Sequence, residues 1–370
     1  MGRRFTSAGL GSEEAEGGVR RRESVWYRMI EARPELDAGG ARETGAGRHA
    51  PKNGASLLLR RAERQCPGEM FPGAQPDRGV SGVCYCEAVG IRLIAIDIDG
   101  TLLDSRGQVP EANQRAIAAA AARGIEVALV TGRRYTFARP VAERIPAPLT
   151  MIVNNGALVR TSEGETHHRL LLEREVARRL LEATTEFRMG TLVLFDRPRE
   201  NQILYELLDW ADPSRTDYWR RNREYLAEIA PLEDCLTEDP IQVMYTGGVE
   251  RMRSLARHLA ALEFAAHFSV QLTEYPARDF TLVDVLHPRV SKGATLEAWS
   301  ARRGYQRSEV MAIGDNLNDV EMLSFAGRPV VMGNSVPELR ADGWFVTATN
   351  DEAGVAAAIE RFALADETKI

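Results

Sequence analysis

Between Leu93 and Ile96 the chain runs Leu-Ile-Ala-Ile without a polar side chain, and Asp97, Ile98, Asp99 and Gly100 follow at once. Four apolar residues with no alternation fit a strand covered on both faces, as the strands of parallel sheets are. No other stretch constrains the fold as much, because a doubly covered strand needs helices on both sides of its sheet. The two acidic residues then fall at the strand's carboxyl end, the edge where open α/β sheets bind ligands. Residues two apart on a strand point the same way, so Asp97 and Asp99 are expected to face one spot. Two carboxylates at close quarters repel unless something positive joins them, and a hard cation such as Mg2+ suits oxygen ligands. Gly100 lets the backbone turn sharply past that spot.

From residue 91 the chain alternates strand and helix. Pro110 to Arg123 is alanine-rich, has Pro near its start and is closed by Gly124, which is the punctuation of a helix. Ile125 to Val130 is the next apolar run and ends in Thr131-Gly132-Arg133. Thr136 to Ile145 reads as a helix that Pro140 should kink or divide. Met151 to Val153 is a third strand, followed by Asn154-Asn155-Gly156. Helices between strands imply right-handed crossovers and a parallel sheet.

The stretch from Glu173 to 282 has no acidic or Gly-rich strand ends. Its pattern is an amphipathic helix over Glu173–Phe187, strands at Thr191–Phe195, Ile241–Tyr245 and Ala265–Thr273, and a helix over Val249–Leu262. It reads as an inserted α/β domain, with Trp210, Tyr218 and Trp219 mostly core. Leu282 to Leu286 is expected to resume the first sheet. Ser291-Lys292-Gly293 then opens a helix, Val310 to Ile313 is a strand ending in Gly314-Asp315-Asn316-Leu317-Asn318-Asp319, and Pro329 to Met332 is another, followed by Gly333-Asn334-Ser335. Gly354 to Ala363 is a closing helix. The fold class is therefore α/β: a Rossmann-like parallel-sheet core in two parts, 91–172 and 283–370, interrupted by an α/β insertion at 173–282.

Residues 1–90 differ. They are rich in Arg, Gly and Glu and sustain no period, apart from short helical stretches at Ser24–Ala32 and Ala55–Glu63, so they read as a disordered leader. Met1-Gly2-Arg3-Arg4-Phe5-Thr6 formally fits a myristoylation pattern and holds twin arginines, but no apolar segment follows. The leader is expected to be dispensable, or an over-extended gene start with Met70 or a later codon as the true beginning.

Composition narrows the function classes. The 370 residues, 44% of them hydrophobic, suffice for two or three domains, and a net charge of −6 gives no electrostatic case for nucleic acid. No apolar run approaches the roughly 20 residues that span a bilayer. Cys66, Cys84, Cys86 and Cys235 fit neither a zinc ribbon nor a redox pair, so reduced thiols in a cytoplasm are expected. His167 and His168 read as solvated rather than as metal ligands. Oligomeric state is left open.

Four stations stand at strand ends or helix starts: Asp97 with Asp99, Thr131, Lys292, and Asp315 with Asn318 and Asp319. Their chemistry is complementary. A carboxylate attacks phosphorus, a hydroxyl and a backbone N–H hold phosphate oxygens, a lysine cancels charge, and further carboxylates complete a cation site. In this order they resemble the haloacid dehalogenase superfamily. Residues 92–104 match its first motif, Val130-Thr131-Gly132-Arg133 its second, Lys292 its third and Gly314 to Asp319 its fourth. Asn154-Asn155-Gly156-Ala157, the insertion and Gly333-Asn334-Ser335 resemble its Cof-type, class IIB branch, which carries an α/β cap between motifs two and three. The resemblance covers about 91–365.

What the resemblance implies is a Mg2+-dependent phosphatase for a small phosphorylated metabolite, a sugar phosphate first among them. Asp97 is then the nucleophile and Asp99 the acid and base. Mg2+ is held by the Asp97 side chain, the Asp99 carbonyl and Asp315, with Asp319 orienting the site or reaching the metal through water. Thr131, Gly132, Lys292 and Asn318 contact phosphate, and Asn155 contacts substrate near the cap hinge. Arg133 is open between substrate binding and a structural ion pair. A phosphomutase, or a regulatory binding protein that has lost turnover, are the alternatives.

Overall fold

The structure, a computed structural model, describes residues 90–212, 215–340 and 343–365. Its first five strands are β1 (Leu93–Ile96), β2 (Glu126–Val130), β3 (Thr150–Val153), β4 (Leu158–Thr161) and β5 (Thr166–Arg169). All four residues of β1 are fully buried, for a visible reason. Ile94 and Ile96 pack into one apolar layer with Ile117 and Ile359, while Leu93 and Ala95 pack into another with Leu296 and Leu323. Helices therefore cover both faces. The helix Glu111–Ala122 buries Asn113, Ala116, Ile117 and Ala120, a stripe at helical spacing, and is preceded by Pro110. The helix Tyr135–Ala142 is a single piece with Pro140 inside it. The expected division does not occur because Pro140 lies in the last turn, where its missing N–H removes a single bond.

The chain then builds a second sheet from β6 (Thr191–Leu194), β7 (Ile203–Tyr205), β8 (Leu226–Glu228), β9 (Gln242–Gly247), β10 (Ser269–Tyr275) and β11 (Phe280–Leu286), in the order β10-β11-β9-β6-β7-β8. The helices Arg174–Ala183 and Val249–Ala260 cover one face of it, setting Leu180 and Leu255 against Val193, Val243 and Val283. One expectation is corrected here. Leu282–Leu286 does not return to the first sheet but lies in β11, paired antiparallel with β9 and β10. An apolar run records burial but not which sheet buries it, so the boundary read at 282 sits within a strand. Similarly, Ala265–His267 is a single turn, and β10 starts at Ser269.

The chain re-enters the core through the helix Lys292–Arg303 and completes the first sheet with β12 (Val310–Gly314), β13 (Arg328–Val331) and β14 (Phe345–Val346). The order is β14-β13-β12-β1-β2-β3-β4-β5, parallel from β14 to β3, with β4 and β5 added antiparallel. From β1 the chain winds one way through β2 and β3, and β12 to β14 fill the other side. The switch point thus lies between β1 and β12, whose last residues lead into Asp97 and Asp315. Among the described residues no helix is long and apolar enough to cross a membrane. Cys235 is buried and free, and the other three cysteines lie outside the described residues, as do the leader and its two expected helices.

Candidate active site

Asp97 continues the β1–β12 ladder by one bond, its N–H donating to Ile313 O at 3.0 Å. The chain then makes a wide turn over Ile98–Leu102, closed by Leu102 N–H to Asp97 O at 3.2 Å and Leu103 N–H to Ile98 O at 3.0 Å. Such five-residue spacing is uncommon and gathers at functional sites. Gly100 holds φ at +84°, and a Cβ there would collide with the Asp315 carboxylate, so that carboxylate lies directly against the turn. Thr101 Oγ1 donates to Asp315 Oδ1 at 2.7 Å, and Asn334 Nδ2 donates to Gly100 O at 2.8 Å.

Lys292 opens its helix behind a serine cap, Ser291, whose hydroxyl accepts the Ala294 N–H at 3.0 Å. Its Nζ lies 2.6 Å from Asp97 Oδ1 and 2.7 Å from Asp319 Oδ1, and it is 1% exposed. Asp319 is fully buried, and its other oxygen accepts the N–H groups of Asp315 at 3.0 Å and Asn316 at 3.1 Å. Carboxylate oxygens of Asp97, Asp315 and Asp319 all lie within 4.8 Å of one another. Three acids share one lysine, and the electrostatics follow. Burial pushes the Asp97 carboxyl up to about 7 against the pull of Lys292, and the charges of Asp319 and Asp99 push the same way. Asp315 is raised well above the carboxylate range by burial and then by Asp97 and Asp319. Burial disfavours the Lys292 ammonium, but Asp319 and Asp97 together outweigh it and hold the lysine protonated.

Thr131 and Gly132 leave β2 at the same sheet edge. Thr131 is buried, its Oγ1 accepts the Arg133 N–H at 3.1 Å, and its carbonyl accepts the Asn155 N–H at 3.0 Å. A Cβ on Gly132 would stand 3.0 Å from Asn155 Oδ1, close enough that a side chain there would crowd the asparagine. Asn155 is fully buried in the left-handed region at φ +52°, and its Oδ1 accepts from Asn318 Nδ2 at 3.3 Å. Its Nδ2 donates to Asp284 Oδ2 at 2.8 Å, while Gln242 Nε2 donates to Asp284 Oδ1 at 2.6 Å. Asp284 stands on β11 and Gln242 on β9, so the second sheet holds the Asn155 turn from above. Among the described residues no cation contacts Asp284, and burial pushes its carboxyl up to about 7 against the pull of the Asn155 hydrogen bond.

The expected convergence of Asp97, Lys292, Asp315 and Asp319 is present in this geometry, and Thr131, Gly132, Asn155 and Asn318 form one connected set beside it. The expectation about Asp99 is corrected. β1 ends at Ile96, so Asp99 lies in the turn rather than on the strand. Its carboxylate takes both ends of Arg133, at 2.7 Å from Nε and 2.6 Å from Nη2, and stands outside the buried acidic cluster. Arg133 is thus an ion-pair partner. Sequence reasoning passed over Asp284 and Arg134, and it gave Thr101 and Asn334, which stand within the motifs already read, no contact of their own. Asp284 and Arg134 meet their partners across elements distant in sequence, which no local pattern records.

The donor set fits a divalent cation. Three buried carboxylates clustered within 4.8 Å, with two of them driven toward protonation, describe a site whose negative charge exceeds what Lys292 cancels. All the cluster's ligands are oxygen, the donor type that Mg2+ takes. In this arrangement the Asp97 carboxylate and the buried Lys292 ammonium lie at the sheet's switch edge, with the linked amides of Asn155 and Asn318 nearby.

Comparison with known proteins agrees with that geometry. Residues 94–359 match the family model of haloacid dehalogenase-like hydrolases. An HMP-PP phosphatase of Cronobacter sakazakii (strain ATCC BAA-894) is 30% identical over 256 residues, 68% of this chain and 87% of that one. A haloacid dehalogenase-like hydrolase from Bacteroides thetaiotaomicron superposes with a TM-score of 0.60 at 26% identity, covering 73% of this chain and 99% of that one. A sugar phosphatase of HAD subclass IIB superposes at 0.59, covering 74% and 100%; at 20% identity this is a likeness of fold.

Proposed function

The chain belongs to the haloacid dehalogenase-like hydrolases, with the fold of their class IIB branch, and from that premise we propose a Mg2+-dependent phosphatase acting on a small phosphorylated metabolite. The observation that carries the reading is Lys292 Nζ bridging Asp97 and Asp319, 2.6 and 2.7 Å away, in a buried acidic cluster. A lysine so placed opposes the protonation that burial favours in Asp97 and steers its oxygen, which suits a nucleophile better than a proton carrier.

In this mechanism an Asp97 carboxylate oxygen attacks phosphorus and the bond to the ester oxygen breaks. Asp99 gives that oxygen its proton. Water then attacks the aspartyl phosphate, Asp99 takes a proton from it, and the bond from Asp97 to phosphorus breaks to release inorganic phosphate. Arg133 holds both oxygens of Asp99, so it must release Asp99 as substrate enters, exchanging it for an oxygen of the ester. Thr131, Gly132, Asn318 and Lys292 hold the phosphoryl oxygens, and Asn155 is held by Asp284 in reach of the substrate. Asp97, Asp315 and the Asp99 carbonyl would hold Mg2+, with Asp319 behind them. The ion supplies charge that lets two anions approach.

A sugar phosphate is the first substrate class. Several of the matching relatives are phosphatases, the HMP-PP phosphatase among them, which supports a small phosphorylated metabolite as substrate. The test is hydrolysis of a generic aryl phosphate with Mg2+ and with chelator. Turnover should require the metal and vanish in Asp97→Asn; comparable turnover in that variant removes the nucleophile. A panel of phosphorylated metabolites then ranks the leaving groups.

A further inference from the structure

Arg134 is 8% exposed, yet among the described residues no carboxylate contacts it. Its Nη1 donates to Gln202 Oε1, and its Nη2 to Asn222 Oδ1 at 2.6 Å. Its guanidinium lies 4.8 Å from the Phe137 ring and 4.7 Å from the Tyr225 ring, and those rings meet edge to face at 5.9 Å. Every contact is neutral. Arg215, buried to the same degree, has the Asp212 carboxylate at 3.1 Å, and the half-buried Arg133, Arg160, Arg188 and Arg253 each pair with an acid. An enclosed charge without a counter-ion is costly unless something else supplies it. Burial also pulls the Arg134 guanidinium down from its ordinary value, with Tyr218, Tyr225 and Glu224 opposing from nearby.

Position says what that something is. Arg134 leaves β2 three residues after Thr131 and next to Arg133, so its backbone belongs to the phosphate edge of the core. Gln202, Asn222 and Tyr225 belong to the inserted domain. The side chain therefore stands in the junction where, on the phosphatase reading above, the leaving group must lie. We propose that Arg134 is a specificity-determining residue that receives a second anionic group on the substrate, a carboxylate or a second phosphate. The inference rests on that reading. Either anion offers two oxygens to the planar fork, and charged hydrogen bonds are about twice as strong as the amide contacts they would replace. The Phe137 and Tyr225 rings flank the guanidinium, and the amides of Gln202 and Asn222 occupy the fork that the ligand would take over.

The experiment compares kcat/KM for a hexose monophosphate, the matching hexose bisphosphate and the matching aldonate phosphate in the intact protein, in Arg134→Gln and in Arg134→Lys, with an aryl phosphate in parallel. The wild type should prefer the bisphosphate or the aldonate by about tenfold or more, and whichever wins identifies the second anion. The preference should collapse in Arg134→Gln, mainly through KM, and survive in part in Arg134→Lys. Equal use of all three esters by the wild type overturns the assignment, as does a preference that Arg134→Gln leaves intact. If Arg134→Gln does not fold, the lysine variant decides: a preference identical to wild type overturns it, because the fork has been lost. Hydrolysis of the aryl phosphate with flat ratios strikes Arg134 alone, whereas no hydrolysis of any ester strikes the phosphatase reading and this inference with it.

Discussion

Asp284 supplies the sharpest test of how the two sheets meet. It is 3% exposed on β11, accepts hydrogen bonds from Asn155 and Gln242, and among the described residues touches no cation. Burial raises its carboxyl from 3.8 to about 7. The sign follows from linkage: the folded chain holds this proton more tightly than the unfolded one. The group's contribution to stability is therefore complete below about pH 4 and is lost as pH rises through about 7. Between pH 5 and pH 8 the loss amounts to roughly 3 kcal/mol, at about 1.4 kcal/mol for each unit over which the two states differ. Asp284→Asn is nearly isosteric with the protonated acid and has nothing to ionise. Its stability should match wild type below about pH 4, and its advantage should widen by roughly 3 kcal/mol between pH 5 and pH 8. At about 2–4 °C per kcal/mol, the Tm gap should widen by roughly 6–12 °C over that range. Thermal melts of both proteins across this range, in one buffer series, give the difference. Asp97 titrates in the same window and contributes equally to both curves, so it cancels. Parallel curves for the two proteins would show that Asp284 is not held dry between the sheets.

Asp99→Ala should lower kcat by about a hundredfold or more with KM close to wild type, since it removes proton transfer rather than binding; steady-state kinetics on an aryl phosphate decides, and near-normal kcat rules out the acid and base role. Lys292→Met leaves Asp97 and Asp319 buried without their ammonium, a loss of about 3–5 kcal/mol that urea denaturation in the absence of divalent ions should record; a loss under 1 kcal/mol would mean the acids are already compensated. Mg2+ at about a hundredfold excess over its Kd should add about 2.7 kcal/mol and raise Tm by about 5–10 °C, and Asp315→Asn should abolish that rise; an equal rise in the variant places the ion elsewhere.

Much of the site was legible because its chemistry sits at the ends of strands. Asp97, Thr131, Lys292 and Asp315 each close an apolar run or open a helix, and parallel topology brings such ends to one edge without further information. Asp99 misled because a strand period was carried three residues past Ile96, into a backbone that already turns. β11 misled because Leu282–Leu286 is apolar whichever sheet takes it. Asp284 and Arg134 were illegible for a common reason. What distinguishes each is the absence of an opposite charge across an interface, and only the pairing of distant elements reveals an absence of that kind.

β1 and β12 are neighbours although they stand 217 residues apart, as the pair Arg92 and Glu309 shows. A ribosome making this chain finishes the first half of the core, then the whole inserted domain, before the strand that flanks Asp97 exists. Throughout that interval the emerging half-sheet has an unpaired apolar border and an acid awaiting its ammonium. The inserted domain can fold meanwhile, because its own strands pair with one another. A transcript broken before β12 should therefore yield a folded lid on an unfinished base, a product for chaperones and proteases rather than a slow enzyme.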